Sequence, residues 1–312
     1  MINLIYPRKL NKGDTIGIIA PSSPYRALCK ESLNYELYNI KKTIENFGYK
    51  VKMGSTCYLS YKGYLAGTDE DRVKDIEIMF EDKNIDAILC LKGGYGTPRI
   101  LDKINYDIIK NNPKIFIGYS DITALHIAFN QICNLVTFHG IMAATVSNWD
   151  EFTYNSFMDI LDMKENLELK NPEDGELYTL VKGSANGIII GGNLSLIAST
   201  IGTSYEIDVK DKILFIEEIG ESIYKIDRML TQLELSGKFN DCKGIIFGDF
   251  EDCNKEREED YDLYDLLLNK IKKYNKPCIY NLQSGHCKPM ISMPLGVNCE
   301  LDATNKKIIL TK

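Results

Sequence analysis

Short apolar runs recur through the first half of the chain, and each gives way to a turn and then to a helical pattern. Thr15–Ala20 (TIGIIA) reads as a buried strand and ends in Pro21-Ser22-Ser23-Pro24. A helical stretch follows over Lys30–Phe47, with Leu33, Leu37, Ile40 and Ile44 at helix spacing, and Gly48 stops it before a strand at Lys50–Met53. Thr68 is an N-cap for the next helix, with Glu70 and Asp71 in its first turn. Ile85–Leu91 (IDAILCL) is a strand that runs into Lys92-Gly93-Gly94-Tyr95-Gly96. Lys114–Ile117 runs into Gly118-Tyr119-Ser120-Asp121, with a helix over Ile122–Asn130. Strand, turn and helix in repetition predict an α/β fold with a doubly wound parallel sheet, whose ligands bind at the carboxyl ends of the strands. Both glycine-containing turns fall there.

The rhythm stops near residue 150. We assign 1–150 to an N-terminal α/β domain, 151–185 to a polar connector containing Asn171-Pro172-Glu173-Asp174-Gly175, and 186–312 to a second, smaller mixed domain. In that second domain Ile188–Ile190, Ile213–Ile216 and Gly244–Phe247 read as strands. Helices are predicted near Ser195–Ile201, Ile223–Leu235 and Tyr261–Lys273, and short strands over Ile291–Leu310.

Composition removes several functions. The chain carries 37 basic and 44 acidic residues, a net charge of -7, which disfavours generic binding to a phosphate backbone. Nine cysteines are scattered in odd number with no CxxC, so reduced thiols are expected and no cysteine zinc site. Met1–Leu10 shows no basic-then-apolar leader and no run approaches a membrane span, so a cytoplasmic location is expected.

Chemistry centres on the serine. An apolar strand that turns sharply into a helix lifts a hydroxyl out of the sheet, and it leaves the next backbone N–H to meet an oxyanion. Ser120 or Asp121 as a plain helix cap is the competing reading. A serine needs a base, and there are three histidines. His126 sits in an apolar helix, His139 ends a strand, and His286 lies in the loop Gln283–Lys288, the setting that suits a base best. For the orienting acid, Glu217 directly ends the strand Ile213–Ile216, whereas Glu221 fits a helix start and Glu218 lies between them. The Gly93–Gly96 turn lacks nucleotide-loop spacing; it supplies either an oxyanion N–H or a bland tight turn.

These residues resemble the LD-carboxypeptidases. The resemblance rests on Leu91–Gly96, Arg99, Pro113–Leu125, Gly191–Leu194, Phe215–Glu218, Ile226–Leu230, Gly285-His286 and Met293–Gly296, in an order that spans nearly the whole chain. It implies a Ser120–Glu217–His286 triad, an oxyanion hole from the backbone N–H groups of Gly94 and Asp121, no metal and no cofactor. It also implies an N-terminal domain similar to class I glutamine amidotransferases, a β-rich C-terminal domain, a site between the two, and a homodimer. Tyr95 and Arg99 are substrate-binding candidates; Arg228 is read as an ion-pair partner. The substrate implied is a small peptide, a muropeptide tetrapeptide cut before its terminal D-alanine during wall recycling.

A branch of the same family cleaves microcin-like peptidyl-nucleotides. Gly93–Gly96 and Glu221 lean to the muropeptide branch, and Lys288-Pro289-Met290 leans to the other. A nonenzymatic binding module on the same scaffold is a further alternative. A cysteine glutaminase would need a thiol where Ser120 stands.

Overall fold

The computed structural model describes residues 4–312, so the first three residues of the Met1–Leu10 stretch read for a leader lie outside the described residues. The chain divides into two compact units, Met1–Met163 and Lys164–Lys312.

The first unit alternates as the apolar runs demand: β1 (Thr15–Ile19), α1 (Lys30–Asn46), β2 (Lys50–Met53), α2 (Asp69–Glu81), β3 (Ala87–Cys90), α3 (Tyr106–Asn111), β4 (Ile115–Gly118), α4 (Thr123–Cys133), β5 (Thr137–His139) and α5 (Glu151–Leu161). These five strands lie in the order β5-β4-β3-β1-β2, each pair parallel, with Ile18 opposite Leu89 and Ile88 opposite Phe116. Continuous burial along β3 and β4 is what a parallel strand covered on both faces requires. Strand order reverses between β1 and β3, the point at which such sheets open a crevice at their carboxyl ends. Helix α1 turns Leu37, Ile40 and Ile44 inward. Thr68 caps α2, and Asp71 reaches back to the Thr68 backbone, completing a capping box. Phe116 anchors the core beneath the sheet's end, its ring 5.0 Å from Phe129 and 5.5 Å from His126.

The second unit is built on a mixed sheet. Its strands are β6 (Asn166–Glu168), β7 (Tyr178–Val181), β8 (Ser184–Asn193), β9 (Ile213–Ile219), β10 (Gly244–Glu251), β11 (Cys278–Tyr280), β12 (Met293–Leu295), β13 (Asn298–Asp302) and β14 (Lys307–Thr311). Eight of them form one sheet in the order β6-β14-β13-β8-β9-β10-β11-β7, parallel from β8 to β11 and antiparallel outside. Helices α6 (Leu194–Ser199), α7 (Ile223–Leu235), α8 (Lys238–Asp241) and α9 (Leu263–Ile271) connect them.

The region 151–185, read as a connector, holds α5, β6 and β7 instead. Helix α5 starts on an Asp150 cap that accepts from Thr153 N–H at 2.8 Å, and it belongs to the first unit. Strands β6 and β7 are sheet edges, short and half-exposed, and they carry no alternation that would betray them. Strand β10 also runs further than its apolar stretch, to Glu251.

Candidate active site

In the first unit, β4 ends at Gly118 and the chain turns at once into a 3₁₀ turn over Ser120–Ile122 that continues as α4. Ser120 takes φ 64°, the left-handed region that a non-glycine residue seldom enters. Such a backbone at a strand-to-helix turn is the geometry of a nucleophile elbow. Ser120 does not cap the helix; no side-chain cap hydrogen bond is made at this helix start.

The elbow rests on Asp121. Its carboxyl is buried, and its Oδ2 accepts from Ser22 Oγ at 2.6 Å and from Thr97 N–H at 2.9 Å, while its carbonyl accepts from the Thr97 hydroxyl. Burial raises its pKa, against the hydrogen bonds from Ser22 and Thr97. One carboxylate therefore ties the loop after β1, the turn after β3 and the elbow after β4. The buried Arg72 completes the scaffold: one guanidinium nitrogen donates to the carbonyls of Pro21 and Gly96, both at 2.8 Å, and another meets Asp69 at 2.5 Å.

The Gly93–Gly96 turn comes directly against Ser120. A Cβ added to Gly93 would stand 2.9 Å from the Cβ of Ser120. Gly94 has φ +121°, and a Cβ there would lie 2.4 Å from Ser23 Oγ, so the turn needs glycine twice over. Ser23 Oγ accepts from Tyr95 N–H at 3.1 Å and donates to Tyr64 O at 2.9 Å. Tyr95 is exposed, its ring 5.8 Å from that of Tyr64.

Of the other histidines, His126 is fully buried and its Nε2 donates to the Gly118 carbonyl at 2.8 Å; burial holds it down to about 4, so it is a neutral strut below the elbow. His139 is also buried, edge-on to Tyr119 at 5.9 Å.

The second unit holds the acid and the imidazole. Glu217 lies on β9, completely buried, and its Oε2 accepts from His286 Nδ1 at 2.8 Å. The His286 loop reaches the strand because it is laced to β10: Leu282 N–H donates to Phe247 O at 3.2 Å and Asp249 N–H to Ser284 O at 3.1 Å. Gly285, at φ +146°, passes so close that a Cβ would be 3.0 Å from Glu217 Oε2. Burial alone would lower the His286 pKa, but the hydrogen bond and charge of Glu217, with Glu218 and Asp249 behind, raise it above the ordinary value.

Successive strand residues face opposite ways, so Glu218 does different work. It accepts from Asn193 Nδ2, Ser195 N–H, Ser195 Oγ and Ile219 N–H, fixing the start of α6. Glu221 pairs with Lys225 at 2.9 Å as a helix-start ion pair.

Asp249 is the residue that sequence reading missed. It follows Gly248 on β10, and burial, then the charges of Glu251 and Glu217, raise its carboxyl to about 6. Its signal was present: Gly244–Phe247 is an apolar run followed by Gly-Asp, the pattern that marked the elbow. Arg99 is held by Asp69, Nε to Oδ1 and Nη2 to Oδ2 at 3.0 Å each, and Arg228 lies over the Tyr224 ring at 5.5 Å and makes no ion pair among the described residues. Among the described residues, no group of three or more His, Cys, Asp or Glu is placed to hold a metal, and no helix is long and apolar enough to cross a membrane.

A serine on a strained strand-to-helix turn and an imidazole oriented by a buried carboxylate are the two parts that a serine hydrolase combines. Family comparison agrees. Residues 16–140 match the LD-carboxypeptidase N-terminal domain and residues 186–301 the LD-carboxypeptidase C-terminal domain. A relative from Bacillus subtilis (strain 168), described as a probable murein peptide carboxypeptidase, is 40% identical over 97% of this chain and 93% of its own. The microcin C7 self-immunity protein MccF of Escherichia coli is 28% identical over 96% of this chain and 93% of its own. The crystal structure of muramoyltetrapeptide carboxypeptidase from Oxalobacter formigenes superposes with a TM-score of 0.81 at 26% identity, covering 95% of this chain and 97% of that one. The chain belongs to the LD-carboxypeptidase family, and it is a peptidase of mixed α/β fold.

Proposed function

We propose that this protein is a cytoplasmic LD-carboxypeptidase that releases the terminal D-alanine of muropeptide tetrapeptides, with Ser120 as nucleophile, His286 as base and Glu217 as orienting acid. The observation that carries the reading is the 2.8 Å bond from His286 Nδ1 to a wholly buried Glu217. A carboxylate in that position fixes the tautomer that presents Nε2 as the proton acceptor. In the reaction, the imidazole takes the Ser120 proton as the hydroxyl attacks the scissile carbonyl. The tetrahedral oxyanion rests on the Gly94 and Asp121 N–H groups, each donor lowering the barrier by about 2.7–4 kcal/mol. The imidazolium then protonates the departing D-amino acid, and water releases the acyl group. Serine chemistry of this kind needs no metal.

The substrate assignment draws on the 40% identical relative described as a murein peptide carboxypeptidase. The relationship to MccF supports a second reading, a peptidyl-nucleotide substrate of the microcin type. Mass spectrometry of products from a tetrapeptide, a tripeptide and a microcin-like conjugate separates them. D-alanine from the tetrapeptide is expected, with the Ser120→Ala variant at least about 1,000-fold slower. Equal release by wild type and variant would remove the triad and leave a binding module; cleavage of the conjugate alone would select the second reading.

A further inference from the structure

An enzyme that acts only at a free C-terminus must recognise the carboxylate there, since a desolvated anion is costly unless a cation meets it. The cations of the first unit near the elbow are mostly engaged. Arg99 is clamped on Asp69, Arg72 is buried on two carbonyls and Asp69, and Lys103 lies 3.6 Å from Asp69 and donates to the Arg99 carbonyl.

Lys92 differs. It is the residue by which the chain leaves β3 and enters the Gly93–Gly96 turn, and it is only half-exposed. Among the described residues its ammonium makes no ion pair and no side-chain hydrogen bond. Its charged neighbour is another cation, Arg26, on the loop after β1; burial first, and then Arg26, depress the Lys92 pKa. Among the described residues the Arg26 guanidinium in turn meets the Gly63 carbonyl, at 3.3 Å. A partly desolvated ammonium that feels a second cation and has no acidic partner among the described residues is electrostatically incomplete, and an anion beside it relieves that. Position sets which anion fits. The residue after Lys92 is the one whose added Cβ would stand 2.9 Å from the Ser120 Cβ, so the Lys92 backbone lies one residue from the nucleophile of the proposed reaction. A terminal carboxylate is likewise one residue beyond the scissile carbonyl.

We propose that Lys92, with Arg26 beside it, forms the subsite for the terminal carboxylate of the substrate. The proposal rests on the carboxypeptidase reading above and supplies the cation that this reading requires.

The test compares a tetrapeptide ending in a free carboxylate with the same peptide ending in a C-terminal amide. Wild type is expected to favour the acid by about 10- to 100-fold in kcat/KM, the range for a hydrogen bond to a charged group. Lys92→Met should collapse that acid-to-amide ratio toward unity, mainly through KM; Lys92→Arg should restore it, and Arg26→Gln should reduce it in part. A ratio that survives Lys92→Met overturns the subsite, as does an equal loss on both peptides. Calorimetric titration of Ser120→Ala and of Ser120→Ala/Lys92→Met with both peptides gives a readout independent of turnover. Tighter binding of the acid that disappears with Lys92 supports the proposal, and equal binding of acid and amide ends it. If wild type cleaves neither peptide, the carboxypeptidase reading falls, while the titrations still decide the subsite.

Discussion

At Ser120 the backbone angle of 64° costs the chain about 1–2 kcal/mol relative to an ordinary right-handed conformation, and the hydrogen bonds on Asp121 hold it there. The direction of the hydroxyl is thus set by covalent geometry. At His286 the controlling quantity is charge. In the proposed reaction the imidazole must be neutral to accept a proton, and its pKa is raised, so kcat/KM should climb through a limb lying above the ordinary histidine value of about 6.5. Glu217→Gln removes the largest raising influence, and the limb should move to lower pH as the rate falls; a pH–rate profile of the two proteins reads this directly. A limb unmoved by the substitution would mean that another group controls protonation. The same pair stabilises the fold. Because the folded pKa is the higher one, that contribution is complete below about 6.5 and fades as pH rises through the folded value.

Helix α4 carries the opposite case. His126 hangs from the Gly118 carbonyl and stays neutral until about 4, whereas the unfolded chain binds that proton near 6.5. Stability should therefore drain away as pH falls from about 6.5 to 4, by about 3 kcal/mol in all. His126→Gln keeps an N–H donor without a titrating group, so urea unfolding of the variant should show a shallower loss over that window. An identical pH dependence in both proteins would exclude the buried strut. The elements also explain what could be read in advance. The elbow was legible because everything that makes it is contiguous: an apolar β4, Gly118, then Ser120 and α4. The Glu217–His286 pair was reachable only as separate candidates, since they stand 69 positions apart and the folded sheet alone brings β9 to the loop after β11. Strands β6 and β7 escaped notice because an edge strand of three or four residues has one partner and little to bury. Lys92 gave no sign because what marks it is the charge that fails to surround it.

Across the whole molecule the nine cysteines are free thiols, and seven are buried, Cys287 is intermediate and Cys29 is exposed. Burial pushes the buried thiols upward, Cys133, Cys242, Cys253 and Cys299 to about 12, and it raises Cys287 as well. A thiolate-directed reagent should label the native protein quickly at one site, lost in Cys29→Ser, and the remaining thiols only in denaturant. Several fast equivalents in the native state would contradict this packing. The strand order has a consequence for how such a peptidase changes its clientele. Neighbouring strands β1, β3 and β4 lead into Ser23, Lys92 with Gly94, and Ser120 at their carboxyl ends, whereas Tyr58, Tyr61 and Tyr64 stand exposed on the segment between β2 and α2. On the proposed roles of Ser120 and Lys92, grafting a different outer loop is the economical route to a new diet, because the cutting edge and its anchor are inherited together from the sheet.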